Sequence, residues 1–381
     1  MWDLVEYVYT NKITTSNNVD KLVKDANILT NSTEVNVNPD FTNITEISAS
    51  ALENYFQCPL KYFFNYVLKL KEPISSEIEM LDIGNILHDL AHIYYLRKDR
   101  LTLDIHNFCN TTIKKLIEKD EKLIQHINNP ILINLIAEAE RFIAHLRALD
   151  NNSEFVPTYF EKSFGPNSNI PALPLTDKVS LKGKVDRIDI YNDYFRIIDY
   201  KSGNADATLS ELYYGKKLQL FLYALAIKNA TGKQISGTFY LPIKNVVEKA
   251  DNEENIYKLI GFYTDNNDLP VAYDKNITST LKSEYVNMTL KKDGTLSKRS
   301  DKVLSPNQME KLMQYSKDIS TNAIHDICCG TFKASPLKSD AMHNACTYCP
   351  YLVLCSKASN NVSFRETSKV NIDSFLGGED E

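Results

Sequence analysis

The chain has 381 residues, 43% hydrophobic and 24% charged. That balance excludes a mostly disordered, collagenous or coiled-coil protein and allows a large core in one big domain or two smaller ones. With 43 Lys and Arg against 49 Asp and Glu the net charge is −6, so binding to a phosphate backbone requires a local basic face. No run approaches the ~20 apolar residues of a membrane span. Asp3 and Glu6 stand where a secretory leader would be basic, and the expectation is a soluble cytoplasmic protein.

Residues 1–46 are polar and rich in Asn and Thr. They read as a linker or the remnant of an upstream region, with a helix near Trp2 to Thr10 and a loop from Val35 to Asn43. Ser50 with Glu53 forms a capping-box pattern before the apolar run Tyr55 to Leu70, which predicts a helix bent or broken at Pro59. Asp82 to Leu96 has helical spacing, and so has Asn107 to Leu149, interrupted near Asn128-Asn129-Pro130. The period then changes. Phe155 to Phe164, Val179 to Tyr191 and Tyr194 to Lys201 read as strands, the last two joined by an Asn192-Asp193 turn. Leu209 to Ala230 reads as one amphipathic helix ending near Gly232, followed by strands at Gly237 to Ile243 and Tyr257 to Tyr263 and a hairpin at Asp293-Gly294. Ser305, Pro306 and Gln308 open a further helix that runs towards Gly330. The end of the chain, 367–381, is expected to be a flexible acidic tail.

The densest chemistry lies in Asp199-Tyr200-Lys201 and in Asp186 on the preceding strand. Residues i and i+2 of a strand share a face, and the Asn192-Asp193 turn folds the Asp186 end of one strand back onto the Lys201 end of the next. Two carboxylates and an ammonium then converge. Carboxylate oxygens are what Mg²⁺ or Mn²⁺ prefer, and a lysine beside them can orient or help deprotonate a water. The assembly suits phosphodiester hydrolysis. His88 offers a neutral imidazole, Gln219 and Tyr223 lie four apart on one helix face, and Glu161 is a weaker candidate. A DNA path is expected along Lys182, Lys184, Arg187, Lys216 and Lys217, extended by Lys291, Lys292, Lys298 and Arg299.

Seven cysteines in a chain of this kind do not read as a disulfide framework. Cys346, Cys349 and Cys355 fall within ten residues, and Cys58 lies far upstream beside Pro59. Such thiolates hold zinc or an iron–sulfur cluster, and spacing leaves the two open. Cys109, Cys328 and Cys329 fall in helical patterns as small buried hydrophobes.

Taken in order, Ser48 to Pro59, Gly84-x3-His88, Gly183-Lys-Val-Asp186-Arg-Ile-Asp, Asp199-Tyr-Lys201-Ser-Gly, Gln219-x3-Tyr223 and the late cysteines resemble the nuclease domain of the AddB family. Its members belong to bacterial AddAB helicase-nucleases, in the RecB-like branch of the PD-(D/E)XK superfamily. The resemblance covers 47–366 and implies an α/β restriction-endonuclease-like core, a mixed sheet flanked by helices, with a helical insertion at 72–153. It implies that His88, Asp186, Asp199 and the Tyr200 carbonyl bind Mg²⁺ or Mn²⁺, that Lys201 is catalytic, and that Gln219 and Tyr223 support the site. It also implies a [4Fe-4S] cluster on Cys58, Cys346, Cys349 and Cys355, stapling the ends of the domain. The implied activity is cleavage of a single DNA strand leaving an unwound duplex end, in break repair, beside an AddA-like helicase-nuclease partner. No Gly-x4-Gly-Lys-Ser/Thr phosphate loop occurs in the sequence. A stand-alone iron–sulfur nuclease and a catalytically idle DNA-binding scaffold are the alternatives.

Overall fold

Aromatic and β-branched residues from Val156 onward build most of the sheet, and helices before, within and after that stretch cover its faces. The computed structural model describes residues 34–376 apart from 39–42, 72–76, 126–129, 204, 206, 244–256, 299–300, 340–343, 353 and 356–361. The helix expected near Trp2 and the position of Arg299 lie outside these residues.

In chain order, β1 (Glu34–Asn36) and β2 (Glu46–Ser48) precede α1 (Ala49–Gln57) and α2 (Pro59–Tyr62), and a π-helical turn, Phe63–Val67, follows. Then come α3 (Met80–Leu96), α4 (Ile105–Glu118), α5 (Glu121–Ile124) and α6 (Pro130–Asn152). The central strands are β3 (Val156–Phe164), β4 (Leu173–Pro174), β5 (Ser180–Tyr191) and β6 (Tyr194–Lys201). After α7 (Leu209–Tyr213) and α8 (Gln219–Thr231) the chain returns as β7 (Gln234–Pro242) and β8 (Ile260–Thr264), then α9 (Pro270–Tyr273) and α10 (Ile277–Thr280). It closes with β9 (Val303–Leu304), α11 (Pro306–Cys329), β10 (Thr331–Lys333), β11 (Leu337–Lys338), β12 (Arg365–Glu366) and α12 (Ile372–Leu376).

Eight strands form one mixed sheet, in the order β2-β5-β6-β7-β8-β9, with β3 and β4 also on β5. β5 and β6 are antiparallel, β6 and β7 parallel. Asn192 makes the β5–β6 turn at φ +52°, a conformation its short polar side chain tolerates. One face of the sheet carries a core built with α1, α8 and α11; the other carries a core built from α3, α4, α6 and α9. The helical insertion is therefore a covering layer of the sheet.

Several expectations are corrected. The helix cap is Ser48, whose Oγ accepts the Ala51 N–H at 3.2 Å, and Glu53 serves another helix. The stretch 209–230 is two helices, because Gly215 takes φ +73° against the ring of Phe56. α8 is buried almost all round from Leu220 to Ile227, packed between the sheet and α11, where an amphipathic pattern would be out of place. The expected loop at Val35 opens with a strand, β1, antiparallel to β10. The expected tail is docked as far as α12: Val370 N–H donates to Ser210 Oγ at 2.8 Å, and Phe375 packs edge-on against Tyr315.

Candidate active site

The pairing of β5 with β6 runs from Tyr191–Tyr194 to Arg187–Ile198 and stops there. Beyond it, Asp199, Tyr200 and Lys201 remain paired with β7 alone. The strands part, and the backbone of Tyr200 bonds into the gap. Its N–H donates to Asp186 Oδ2 at 2.8 Å, and its carbonyl accepts from His88 Nε2 at 2.9 Å. A carbonyl only accepts, so this bond puts the imidazole proton on Nε2. His88 Nε2 also lies 3.6 Å from Asp186 Oδ2.

α3 reaches the gap because of Gly84, one turn before His88. A methyl there would stand 2.7 Å from Ser202 Oγ and 2.8 Å from Ser202 Cβ. Gly183 does the same for Tyr223, whose ring atoms would lie 2.7 Å from an added methyl.

The structure adds Glu161 to this group. It faces the Asp186 region from β3 at φ +49°, an unfavourable backbone for a glutamate. One ligand atom each from His88, Glu161 and Asp186 fall within 4.8 Å of one another. Glu161 is paired with Lys184. Asp199 does not join that cluster. Its Oδ1 accepts from the Gln219 side-chain amide and its Oδ2 lies 2.7 Å from Lys201 Nζ. Burial tends to lower the pKa of Lys201, but the charge and hydrogen bond of Asp199 carry it above the ordinary value. The pairing with Asp199 favours the ammonium form of Lys201, which is placed to orient and to supply positive charge. Burial first, then the charge of Asp199, push the carboxyl of Asp186 well above the ordinary range.

Two groups escaped sequence reasoning. Glu53 of α1 accepts the N–H groups of Leu218 (2.8 Å) and Gln219 (3.0 Å), capping α8. Burial raises its carboxyl to about 7, against the pull of those amides, Lys201 and Lys217. Tyr240 of β7 lies under two ammonium groups, Lys201 at 5.2 Å and Lys217 at 4.9 Å from its ring centre. Of the expected DNA path, Arg187 is fully buried, since it points from β5 into the insertion layer. Lys182 and Lys298 are paired with Glu46 and Asp265, while Lys291 and Lys292 are exposed.

At the opposite end of α1, Cys58 breaks the helix before Pro59. Its thiol is pushed up by burial and held back by the Leu60 and Lys61 amides. Cys355 is raised to about 11, by burial first and then by Cys349, Cys346 and Cys58. Four free thiols from the two ends of the fold therefore lie within electrostatic reach of one another. Cys109 is buried as expected; Cys329 is exposed at the end of α11, which corrects its reading as a core residue.

The model of the PD-(D/E)XK nuclease superfamily matches residues 46–356, a range that contains every residue of the site. The chain belongs to that superfamily. Among curated relatives, the B subunit of an ATP-dependent helicase/deoxyribonuclease from Caldanaerobacter subterraneus subsp. tengcongensis is 31% identical over 357 residues, 83% of this chain and 30% of the relative. The protein of the same name from Clostridium kluyveri is 28% identical over 348 residues, 81% of this chain and 30% of its own length. That of Thermoanaerobacter sp. is 26% identical over 400 residues, 94% and 34% respectively. The chain thus spans about a third of the length of these relatives. No helix among the described residues is long and apolar enough to cross a membrane.

Proposed function

We propose that this chain is a deoxyribonuclease that uses Mg²⁺ or Mn²⁺ to hydrolyse phosphodiester bonds in a DNA strand leaving an unwound duplex end. The observation that carries this reading is the gap between β5 and β6, where His88 Nε2, Asp186, Glu161 and the Tyr200 carbonyl converge beside the Lys201 ammonium. The donor set fits a hard divalent cation: oxygens of carboxylates and a carbonyl, with one imidazole. His88, Asp186 and the Tyr200 carbonyl would hold it, with Glu161 at its side. His88 would do so with its proton moved to Nδ1 and its bond to the Tyr200 carbonyl released, and Asp199 would join by turning from Gln219 and Lys201. When bound, such a cation polarises the scissile phosphate and makes an attacking water more acidic.

The chain's own residues orient the reaction. Lys201, kept charged by Asp199, stands ready to take a non-bridging phosphate oxygen. Gln219 holds Asp199 in place, Glu53 holds the start of the helix that bears Gln219, and Tyr223 fills the space that Gly183 leaves. Contacts to phosphate carry no base identity, so cleavage is expected to depend little on sequence.

The relatives are named as B subunits of an ATP-dependent helicase/deoxyribonuclease, which supports an AddA-like helicase-nuclease as partner in break repair. For the thiols, the mutual electrostatic influence of Cys58, Cys346, Cys349 and Cys355 supports four-cysteine coordination, and we infer a [4Fe-4S] cluster there.

The test is an anaerobically prepared chain incubated with single-stranded and duplex DNA, with Mg²⁺ or with chelator. Cleavage of the single strand only with Mg²⁺, lost in Asp199→Ala, is the expected result. Equal degradation by wild type and Asp199→Ala would overturn the proposal.

A further inference from the structure

Tyr95 sits on α3 seven residues after His88, two turns along the same face. Its ring lies parallel to Phe160 of β3, centres 4.5 Å and planes 9° apart. The guanidinium of Arg187, on β5, lies 4.7 Å from the same ring centre. Arg187 Nη1 donates to the Tyr95 hydroxyl, which donates in turn to Asp150 Oδ1 at 3.3 Å. Asp150 also takes Arg187 Nη2 at 2.8 Å. Tyr95 and Arg187 are both buried.

The neighbours of these contacts give them meaning. Phe160 and Arg187 are register partners across β3 and β5. Phe160 directly precedes Glu161, and Arg187 directly follows Asp186. A single phenol ring therefore touches the three segments that carry His88, Glu161 and Asp186, the groups that converge within 4.8 Å. One of those segments is strained, since Glu161 holds φ +49°, and a conformation of that kind persists only where the surroundings over-determine it. The stacking of Phe160 on Tyr95 is such a constraint, one residue away.

We propose that Tyr95 is the positioning residue of the cation site: it sets the mutual spacing of His88, Glu161 and Asp186 while touching neither cation nor DNA. The inference rests on the divalent-cation reading above. Ligand-orienting partners in metal sites act by holding donors in register, and their loss weakens metal affinity by roughly 10–100-fold.

The test is titration of the full chain with Mn²⁺ alone, free ion being read by electron paramagnetic resonance, alongside thermal melting. Tyr95→Phe keeps the ring and removes the hydroxyl; it is expected to weaken Mn²⁺ binding about tenfold. A purely structural role would lower the melting temperature and leave Mn²⁺ affinity within twofold of wild type, and that result overturns the inference. Should Tyr95→Phe not fold, Phe160→Leu, which keeps every hydrogen bond of the network, carries the same expectation. Wild type that takes up no Mn²⁺ removes the cation reading itself, whereas wild-type binding with unchanged variants removes only the role of Tyr95.

Discussion

Buried beside Asp199, the carboxyl of Asp186 is held well above the ordinary carboxylate range, by burial first and by its neighbour's charge second. The folded chain binds this proton more tightly than the unfolded chain does. Without a cation, stability is therefore lost as pH rises from the unfolded pKa through the folded one. Asp186→Asn removes the charge and keeps an acceptor for the Tyr200 N–H. It is expected to raise the stability of the cation-free chain at pH 8 by about 1 kcal/mol, the usual gain from relieving a strained functional site, while cutting Mg²⁺-dependent DNA cleavage at least a thousandfold, roughly 4 kcal/mol in the barrier. Urea denaturation with chelator present, set against a cleavage assay, checks both halves. A variant less stable than wild type contradicts the electrostatic account.

Glu53 gives a second pH dependence. Its carboxyl is raised from 4.5 to about 7 by burial, so between those values the unfolded chain has released a proton that the folded chain keeps. Stability falls as pH rises through that window, by at most about 3 kcal/mol at 1.36 kcal/mol per unit. Glu53→Gln preserves an oxygen acceptor for the Leu218 and Gln219 amides and cannot ionise. Its stability relative to wild type is expected to grow from pH 5 to pH 8, read as the difference in urea midpoints. A constant difference would place the Glu53 carboxyl in its ordinary range.

Gly84→Ala opposes local and tertiary preference. Alanine favours the helix by about 1 kcal/mol, but its methyl would meet Ser202 at 2.7 Å. α3 must back away, taking His88 from the Tyr200 carbonyl. The expected outcome is a roughly tenfold loss of cleavage with little change in melting temperature, largely restored when Ser202→Gly is added. Failure of the second change to restore activity would show that the close approach is not what Gly84 provides.

Cys58→Ser tests the staple between the ends of the fold. An anaerobic preparation of wild type is expected to show the broad visible absorbance and four irons of a [4Fe-4S] cluster, both lost in Cys58→Ser together with several kcal/mol of stability. Cys109→Ser, in a buried site away from the four thiols, is expected to keep the colour. A colourless protein with one zinc per chain overturns the cluster and leaves the active-site proposal untouched.

Legibility followed the range of the interactions. The β5–β6 hairpin, the Ser305 and Gln308 capping box and the left-handed Gly330 that ends α11 were readable, because each is decided by residues adjacent in sequence. Glu53 was readable as a capping residue, but its partner proved to be a helix 165 positions away, because Ser48 already served its own. Glu161 looked like one acid among many; its weight comes from a positive φ and from strand register, neither of which leaves a mark in composition. Arg187 looked like a surface cation because basic residues flank it; Asp150 and Asp189, which pair with it, lie on other elements or two positions along the same face. The helix predicted from 209 to 230 failed at Gly215, where the close approach of Phe56 decides the backbone.

The two cores lie on opposite faces of the sheet, and the reactive centre draws on both: His88 from one layer, Gln219 and Glu53 from the other. Neither half possesses it alone. A newly made or thermally loosened copy, with either layer open, has its acids, imidazole and ammonium scattered. On the deoxyribonuclease reading proposed above, the fold thus acts as a safety catch: loosening either layer disperses the groups that would cut.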